Sequence, residues 1–203
     1  AGIIAGNGYS SRGKYAGIAP EANILGIKAL NNRGSGNMSD IIAAIEYAVK
    51  TKDEYNTKIL NLSFGSPANN SYQKDPLCKA VKEAKNAGLI VVAAAGNSGP
   101  EPRTIVSPGI SPDVITVGAI DDKRTIDPSD DEIARFSSRG PTNEGLTKPD
   151  LVAPGVNINS LSHIEEDGYI SMSGTSMATP LISGTVALLL NKYGNLSPDQ
   201  VKE

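Results

Sequence analysis

Leu89-Ile90-Val91-Val92-Ala93-Ala94-Ala95-Gly96-Asn97-Ser98-Gly99 is the stretch on which the fold turns. An unbroken apolar run from Leu89 to Ala95, with no polar residue alternating into it, reads as a strand buried on both faces. The Gly-Asn-Ser-Gly that follows is turn chemistry, so the strand ends sharply and places an asparagine beyond its carboxyl end. A strand covered on both sides belongs to a mostly parallel sheet with helices above and below.

The flanking sequence repeats the pattern. Asn23 to Ala29, Ile59 to Phe64 and Val114 to Ile120 are short runs rich in Ile, Val and Leu, bounded by turn residues, and are predicted as further strands. Helical spacing lies between them. Ser39-Asp40 is expected to cap Ile41 to Lys50, where Ile41, Ile42, Ile45, Ala48 and Val49 share one face. Asp75-Pro76 should start Leu77 to Asn86, which Gly88 ends, and a last long helix should run from about Ser176 to about Lys192 with Pro180 in its first turn. The expectation is an α/β fold in a single domain, residues 1–203.

Composition narrows the function. With 203 residues and 39% apolar content there is enough chain for one real core. Nineteen basic and 22 acidic residues give a net charge of -3 without a long block of either sign, so neither nucleic acid nor a membrane is expected as partner. No apolar run approaches the roughly 18 residues of a membrane span. The opening Ala1-Gly2-Ile3-Ile4-Ala5-Gly6 lacks the basic flank and cleavage pattern of a signal peptide. A single cysteine, Cys78, rules out an intrachain disulfide framework and fits a cytoplasmic or a secreted bacterial-type protein equally.

Two segments could carry chemistry. In Ser173-Gly174-Thr175-Ser176-Met177-Ala178-Thr179-Pro180 a small-residue turn delivers Ser176 to the start of an apolar helix. Free amides and the positive dipole end there could support a nucleophile and the oxyanion it creates, although a plain N-cap is the commoner use of such a serine. Asn97, beyond a strand end, could aim a side-chain donor at developing negative charge or simply build a turn.

Taken together with Asn61-Leu62-Ser63-Phe64-Gly65, Phe136-Ser137-Ser138-Arg139-Gly140-Pro141 and Pro149-Asp150-Leu151-Val152-Ala153-Pro154-Gly155, these segments resemble the subtilisin-like serine peptidases, the subtilases, from Ala1 to Glu203. The resemblance implies a three-layer subtilisin-like fold and cleavage of polypeptide substrates. It implies Ser176 as nucleophile, with the Asn97 side chain and the Ser176 amide as oxyanion donors. It makes Gly34-Ser35-Gly36 and Ser63-Phe64-Gly65 the two backbone edges that hold an extended substrate, and Ala94-Ala95-Gly96 a wall of the primary specificity pocket. Small residues let a peptide approach the main chain as an added strand.

The same resemblance predicts a gap. A serine hydroxyl needs a base, normally histidine oriented by a carboxylate, and in the subtilisin order Asp and His both precede Ser. The one histidine, His163, sits in the polar Ser162-His163-Ile164-Glu165-Glu166-Asp167 and reads as solvated. Ala1 to Gly6 resembles the helix that follows the family's His-Gly-Thr-His motif. The chain is therefore expected to lack the triad Asp and His and two N-terminal strands, one of them central, to be inactive by itself, and to pair with its missing N-terminal segment or self-associate. The alternative is a non-catalytic peptide-binding module or pseudoenzyme.

Other patterns fail on detail. Gly8 to Tyr15 almost spells a phosphate-binding loop, but Tyr15 stands where a magnesium-binding hydroxyl is required and Pro20 interrupts the following helix. Gly34-Ser35-Gly36-Asn37-Met38-Ser39 has Ser39 where a dinucleotide site needs its third glycine or alanine. Calcium stays open as a cofactor. Asn7 to Tyr15 is too poor in carboxylates to hold it, and Asp121-Asp122 and Asp127 to Glu132 read first as solvated loop acids.

Overall fold

The computed structural model describes residues 1–194 and 196–203. Its sheet is built on strands β1 (Ile59–Leu62), β2 (Ile90–Ala94) and β3 (Ile115–Asp121), paired in parallel in that order. Strand β4 (Glu132–Ile133) adds to β3 antiparallel, and β5 (Leu151–Pro154) adds to it in parallel. A separate antiparallel hairpin is formed by β6 (Ile158–Leu161) and β7 (Tyr169–Met172).

Side-chain alternation along β2 explains why its sequence is apolar throughout. Val91 and Ala93 face a cluster with Ile41 and Ile45 of helix α2 (Met38–Lys50) and with Leu77, Val81 and Ala84 of helix α3 (Pro76–Asn86). Ile90 and Val92 face the opposite cluster, with Ile115, Val117 and Ala178 and Val186 of helix α4 (Thr175–Tyr193). Burial of each such valine or isoleucine contributes about 1.5–3 kcal/mol relative to exposure. The result is three layers, helices on both faces of a central sheet.

Helix α1 (Gly2–Ala5) packs on α4 through the segment after it. Ile18 N donates to Ile3 O at 3.0 Å, and a Cβ on Gly184 would lie 2.6 Å from Ile18 Cβ, so only glycine lets this segment close on α4. At the other end, Ser197 and Gln200 form a capping box that starts helix α5 (Pro198–Lys202). Lys202 Nζ donates to Pro112 O at 2.6 Å and Val114 O at 2.8 Å, which docks α5 on the sheet.

Three expectations are corrected. Asn23 to Ala29 is not a strand: no ladder partner lies beside it among the described residues, and Ile24 and Leu25 are exposed. Asn37, not Ser39-Asp40, is the N-cap of α2; its Nδ2 donates to Asp40 Oδ2 at 3.1 Å, so Asp40 stabilises the first turn from within it. Pro180 lies inside α4, beyond the first turn, where its ring removes the amide that would bond the Ser176 carbonyl. Strands β4 to β7 were not predicted, because the residues that form them are short, partly exposed and mixed in polarity.

Candidate active site

The carboxyl ends of β1 and β2 and the N-terminus of α4 meet at one place. Gly174, with φ 155°, is the N-cap of α4, and its amide donates to Gly155 O at 2.8 Å. The Pro149 to Gly155 segment therefore fixes where the helix begins. Ser176 follows in the first turn at the positive end of the helix, where the Met177 amide donates to Gly174 O at 3.0 Å and the Ser176 amide has no acceptor among the described residues.

Asn97 faces that end in one defined orientation. Its Oδ1 accepts from Thr175 N at 2.9 Å and from Thr175 Oγ1 at 3.0 Å. Both donors fix the carbonyl side of the amide, which leaves Nδ2 as the free donor edge. Thr175 Oγ1 in turn accepts from Gly96 N at 3.2 Å, and Thr175 is fully buried. The pair of candidate oxyanion donors, Asn97 Nδ2 and the Ser176 amide, is thus positioned by a residue that the sequence reading passed over. Its signal was present, since Thr175 sits directly between the helix cap and the serine.

The Ser176 hydroxyl donates to the Ser63 carbonyl at 2.8 Å. The Ser63 hydroxyl accepts from Asn61 Nδ2 at 2.9 Å, while Asn61 Oδ1 accepts from Ser183 Oγ at 2.8 Å. These bonds tie the Ser63-Phe64-Gly65 edge to α4, and Phe64 anchors it further by packing against the α2–α3 cluster. Ala94, Ala95 and Gly96 are buried beside it, with Gly96 O accepting from Ser138 N at 2.9 Å. Ser138 Oγ also accepts from Ser98 N at 3.1 Å, so the Phe136 to Pro141 segment buttresses the turn that carries Asn97.

Gly34-Ser35-Gly36 stands apart. Asn31 Oδ1 accepts from the Arg33 and Ser35 amides and Asn31 N donates to Ser35 O at 2.8 Å, making a closed, exposed turn. No hydrogen bond among the described residues joins it to the Ser176 cluster. His163 is exposed in the connection between β6 and β7.

A cation finds little here. Among the described residues no group of three or more His, Cys, Asp or Glu is arranged to hold a metal. The acids of the Asp121 to Glu132 loop are turned to local donors: Asp121 and Glu132 to Lys123, Asp127 to Ser129 N, Asp130 to the Thr125 hydroxyl. Each of these acids is thus engaged by a donor within the loop.

Elsewhere two buried groups are strongly perturbed. Burial pushes the Cys78 thiol up to about 12, with the Asp75 charge adding to the effect. Burial pulls the Lys148 ammonium down to about 8 against the opposing pull of Asp150, whose Oδ2 lies 2.6 Å away.

With this geometry in place, comparison with known proteins is decisive. The model of the subtilase family matches residues 1–203. The chain belongs to the subtilase family. Serine protease AprX of Bacillus subtilis (strain 168) is 48% identical to this subtilase chain over 100% of it and 50% of the relative. Subtilisin DY of Bacillus licheniformis is 38% identical over 92% of the chain and 60% of the relative. Among solved structures, sphericase superposes with a TM-score of 0.84 at 35% identity, over 99% of this chain and 64% of that one. The subtilase chain thus spans about half to two thirds of these relatives, and over that span it has their mostly parallel α/β fold.

Proposed function

We propose that these 203 residues are the serine-bearing part of a subtilisin-like serine endopeptidase. The carrying observation is the grip of Thr175 on Asn97 Oδ1, which leaves Asn97 Nδ2 free at the helix end that bears Ser176. Ser176 Oγ attacks the peptide carbonyl carbon as a base takes its proton. The carbonyl oxygen becomes an oxyanion held by Asn97 Nδ2 and the Ser176 amide. Collapse breaks the C–N bond, the base returns the proton to the leaving amine, and water then releases the acyl group by the reverse roles.

We place the base and its orienting carboxylate outside these 203 residues: among the described residues the Ser176 hydroxyl bonds only the Ser63 carbonyl, which cannot take its proton, and His163 is exposed in the β6–β7 connection. The chain alone is then inactive, with a loss of order 10⁶ in kcat, the value known for removing the histidine of subtilisin itself. Substrate lies extended along Ser63-Phe64-Gly65 and Ala94-Ala95-Gly96, with Gly34-Ser35-Gly36 as the opposite edge, and is recognised chiefly through its backbone.

The sheet supports a partner as well. Among the described residues β1 has β2 as its one sheet neighbour, and Asn23 to Ala29 has no ladder partner. A strand from an N-terminal segment of the same protein, or from a second copy, completes this edge.

Labelling with a fluorophosphonate, which reacts only with an activated serine, tests the catalytic reading. Ser176 should label in a form extended at the N-terminus and not in residues 1–203 alone. Labelling of neither would favour a peptide-binding module, and labelling of both would require a base within the chain.

A further inference from the structure

The gap between the two edges that flank Ser176 is crossed by one segment, Ile105 to Pro108. Val106 N donates to Ala95 O at 3.0 Å, and Ser107 exchanges amide–carbonyl bonds with Ser66 at 2.9 and 3.0 Å. The segment thus joins the end of β2 to the residue after Gly65. Ile105 and Ser107 turn inward: Ile105 packs with Cys78 and Ile110, and the Ser107 hydroxyl donates to Asp75 Oδ1 at 2.7 Å. Val106 alternates to the other side and is only half-buried.

That side is the gap itself. A Cβ on Gly65 would collide with Val106 Cγ2, and one on Gly96 would lie 2.8 Å from Cγ1 and 3.1 Å from Cγ2. One isopropyl group lies against both glycines. Two facing glycines would otherwise leave a slot wide enough for a large or flat side chain, and the valine takes that volume.

We infer that Val106 closes the floor of the primary specificity pocket, so that substrates carry a small side chain, of the Gly, Ala or Ser class, just before the cleaved bond. The inference rests on the endopeptidase reading and on Ala94-Ala95-Gly96 and Ser63-Phe64-Gly65 as the walls. Discrimination against a larger group follows from overlap with a side chain whose neighbours are pinned on both flanks and cannot withdraw. One methylene too many in an apolar pocket costs about 10–200-fold in kcat/KM.

The test uses the full-length protein and succinyl-Ala-Ala-Pro-X-p-nitroanilides with X as Ala, Leu or Phe. Active serine is counted by fluorophosphonate titration. Ala should exceed Phe by about tenfold or more in kcat/KM. Val106→Gly should raise Phe by about 10–100-fold and lower the Ala-to-Phe ratio by at least that factor, with Val106→Ala in between. If Val106→Gly does not fold, Val106→Ala decides. Phe cleaved as well as Ala by the unaltered protein, or an Ala-to-Phe ratio unmoved by either substitution, overturns the proposal. If the serine neither labels nor cleaves, the endopeptidase reading fails by itself. Calorimetric binding of acetyl-Ala-Ala-Pro-X acids then decides: preference for Ala that Val106→Ala abolishes upholds the floor, and equal binding of all three overturns it.

Discussion

The Thr175 hydroxyl donates to Asn97 Oδ1 at 3.0 Å while accepting from Gly96 N at 3.2 Å, so one buried side chain sets both the direction of the asparagine amide and the strand end beneath it. Oxyanion donors act through preorganisation, and in the proposed role of Asn97 that preorganisation depends on Thr175.

Replacing Thr175 by valine keeps the shape and removes the hydroxyl. In the full-length enzyme kcat should fall about tenfold with KM nearly unchanged, since the Thr175 amide still holds Asn97. Asn97→Ala should cost about 10²–10³ in kcat, the size known for such a donor in subtilisin and not a figure drawn from this geometry. Combining the two should cost no more than Asn97→Ala alone, because Thr175 acts through Asn97. Thr175→Ser should restore activity. Additive losses would show that Thr175 acts on kcat independently of Asn97.

Much of this was legible beforehand, for reasons that lie in particular residues. The run Leu89 to Ala95 announced a doubly covered strand because both of its faces carry apolar side chains, and the structure sends Val91 and Ala93 one way and Ile90 and Val92 the other. Asp75-Pro76 marked a helix start because capping is local chemistry. Strand Asn23 to Ala29 failed because a strand is defined by its neighbour, which the residues themselves do not supply. Thr175, Asn61, Ser183 and Val106 were missed because their partners lie tens of residues away, as Ser183 does from Asn61, and no spacing rule connects them. Nor does the sequence mark Lys148 as buried, because the Val114 carbonyl and Thr116 hydroxyl that enclose its ammonium lie more than thirty residues away.

That sealed lysine gives stability a pH dependence. Its pKa is pulled down from 10.5 to about 8 by burial. Between those values the unfolded chain keeps the proton and the folded chain has released it, so stability from this site rises with pH through that window. The gain is complete above the unfolded value and is lost as pH falls through about 8, with a ceiling of about 3 kcal/mol. Thermal melts of the protein and of Lys148→Met at pH 7.5 and pH 10 should diverge, with the unaltered protein gaining relative to the variant at pH 10. A difference in Tm that is constant with pH would exclude this role.

Asp75 is a cap with a second duty. It is buried, accepts from Cys78 N at 3.0 Å and from the Ser107 hydroxyl at 2.7 Å, and so pins α3 to the segment that carries Val106. Asp75→Ala should destabilise by about 2–3 kcal/mol, roughly 1 for the cap and the rest for stranding a buried hydroxyl. Cys78 reports the same region. A buried thiol with a pKa of about 12 is almost wholly protonated at neutral pH and should react with iodoacetamide only when the chain opens. Alkylation should therefore be slow in the unaltered protein and faster in Asp75→Ala in proportion to lost stability, as followed by intact mass. Equal rates in both would mean that Cys78 becomes accessible through an opening that Asp75 does not govern.

The unpaired sheet edge should govern the association of residues 1–203. Ile24 and Leu25 are 47% and 39% exposed, and the amides and carbonyls on the free side of β1 have no ladder among the described residues. An unpaired sheet edge recruits another strand, and exposed apolar side chains favour association further. Size-exclusion chromatography with light scattering should give species larger than a monomer for residues 1–203. Ile24→Lys with Leu25→Lys should shift them toward monomer by placing like charges where two copies would meet. A form extended at the N-terminus should elute as a monomer, since an intramolecular strand occupies the edge at far higher effective concentration than a second chain can reach. A cooperatively folding monomer of residues 1–203, unchanged by the two lysines, would mean that β1 and Asn23 to Ala29 are satisfied by solvent alone, and the proposal of a completing strand would fall.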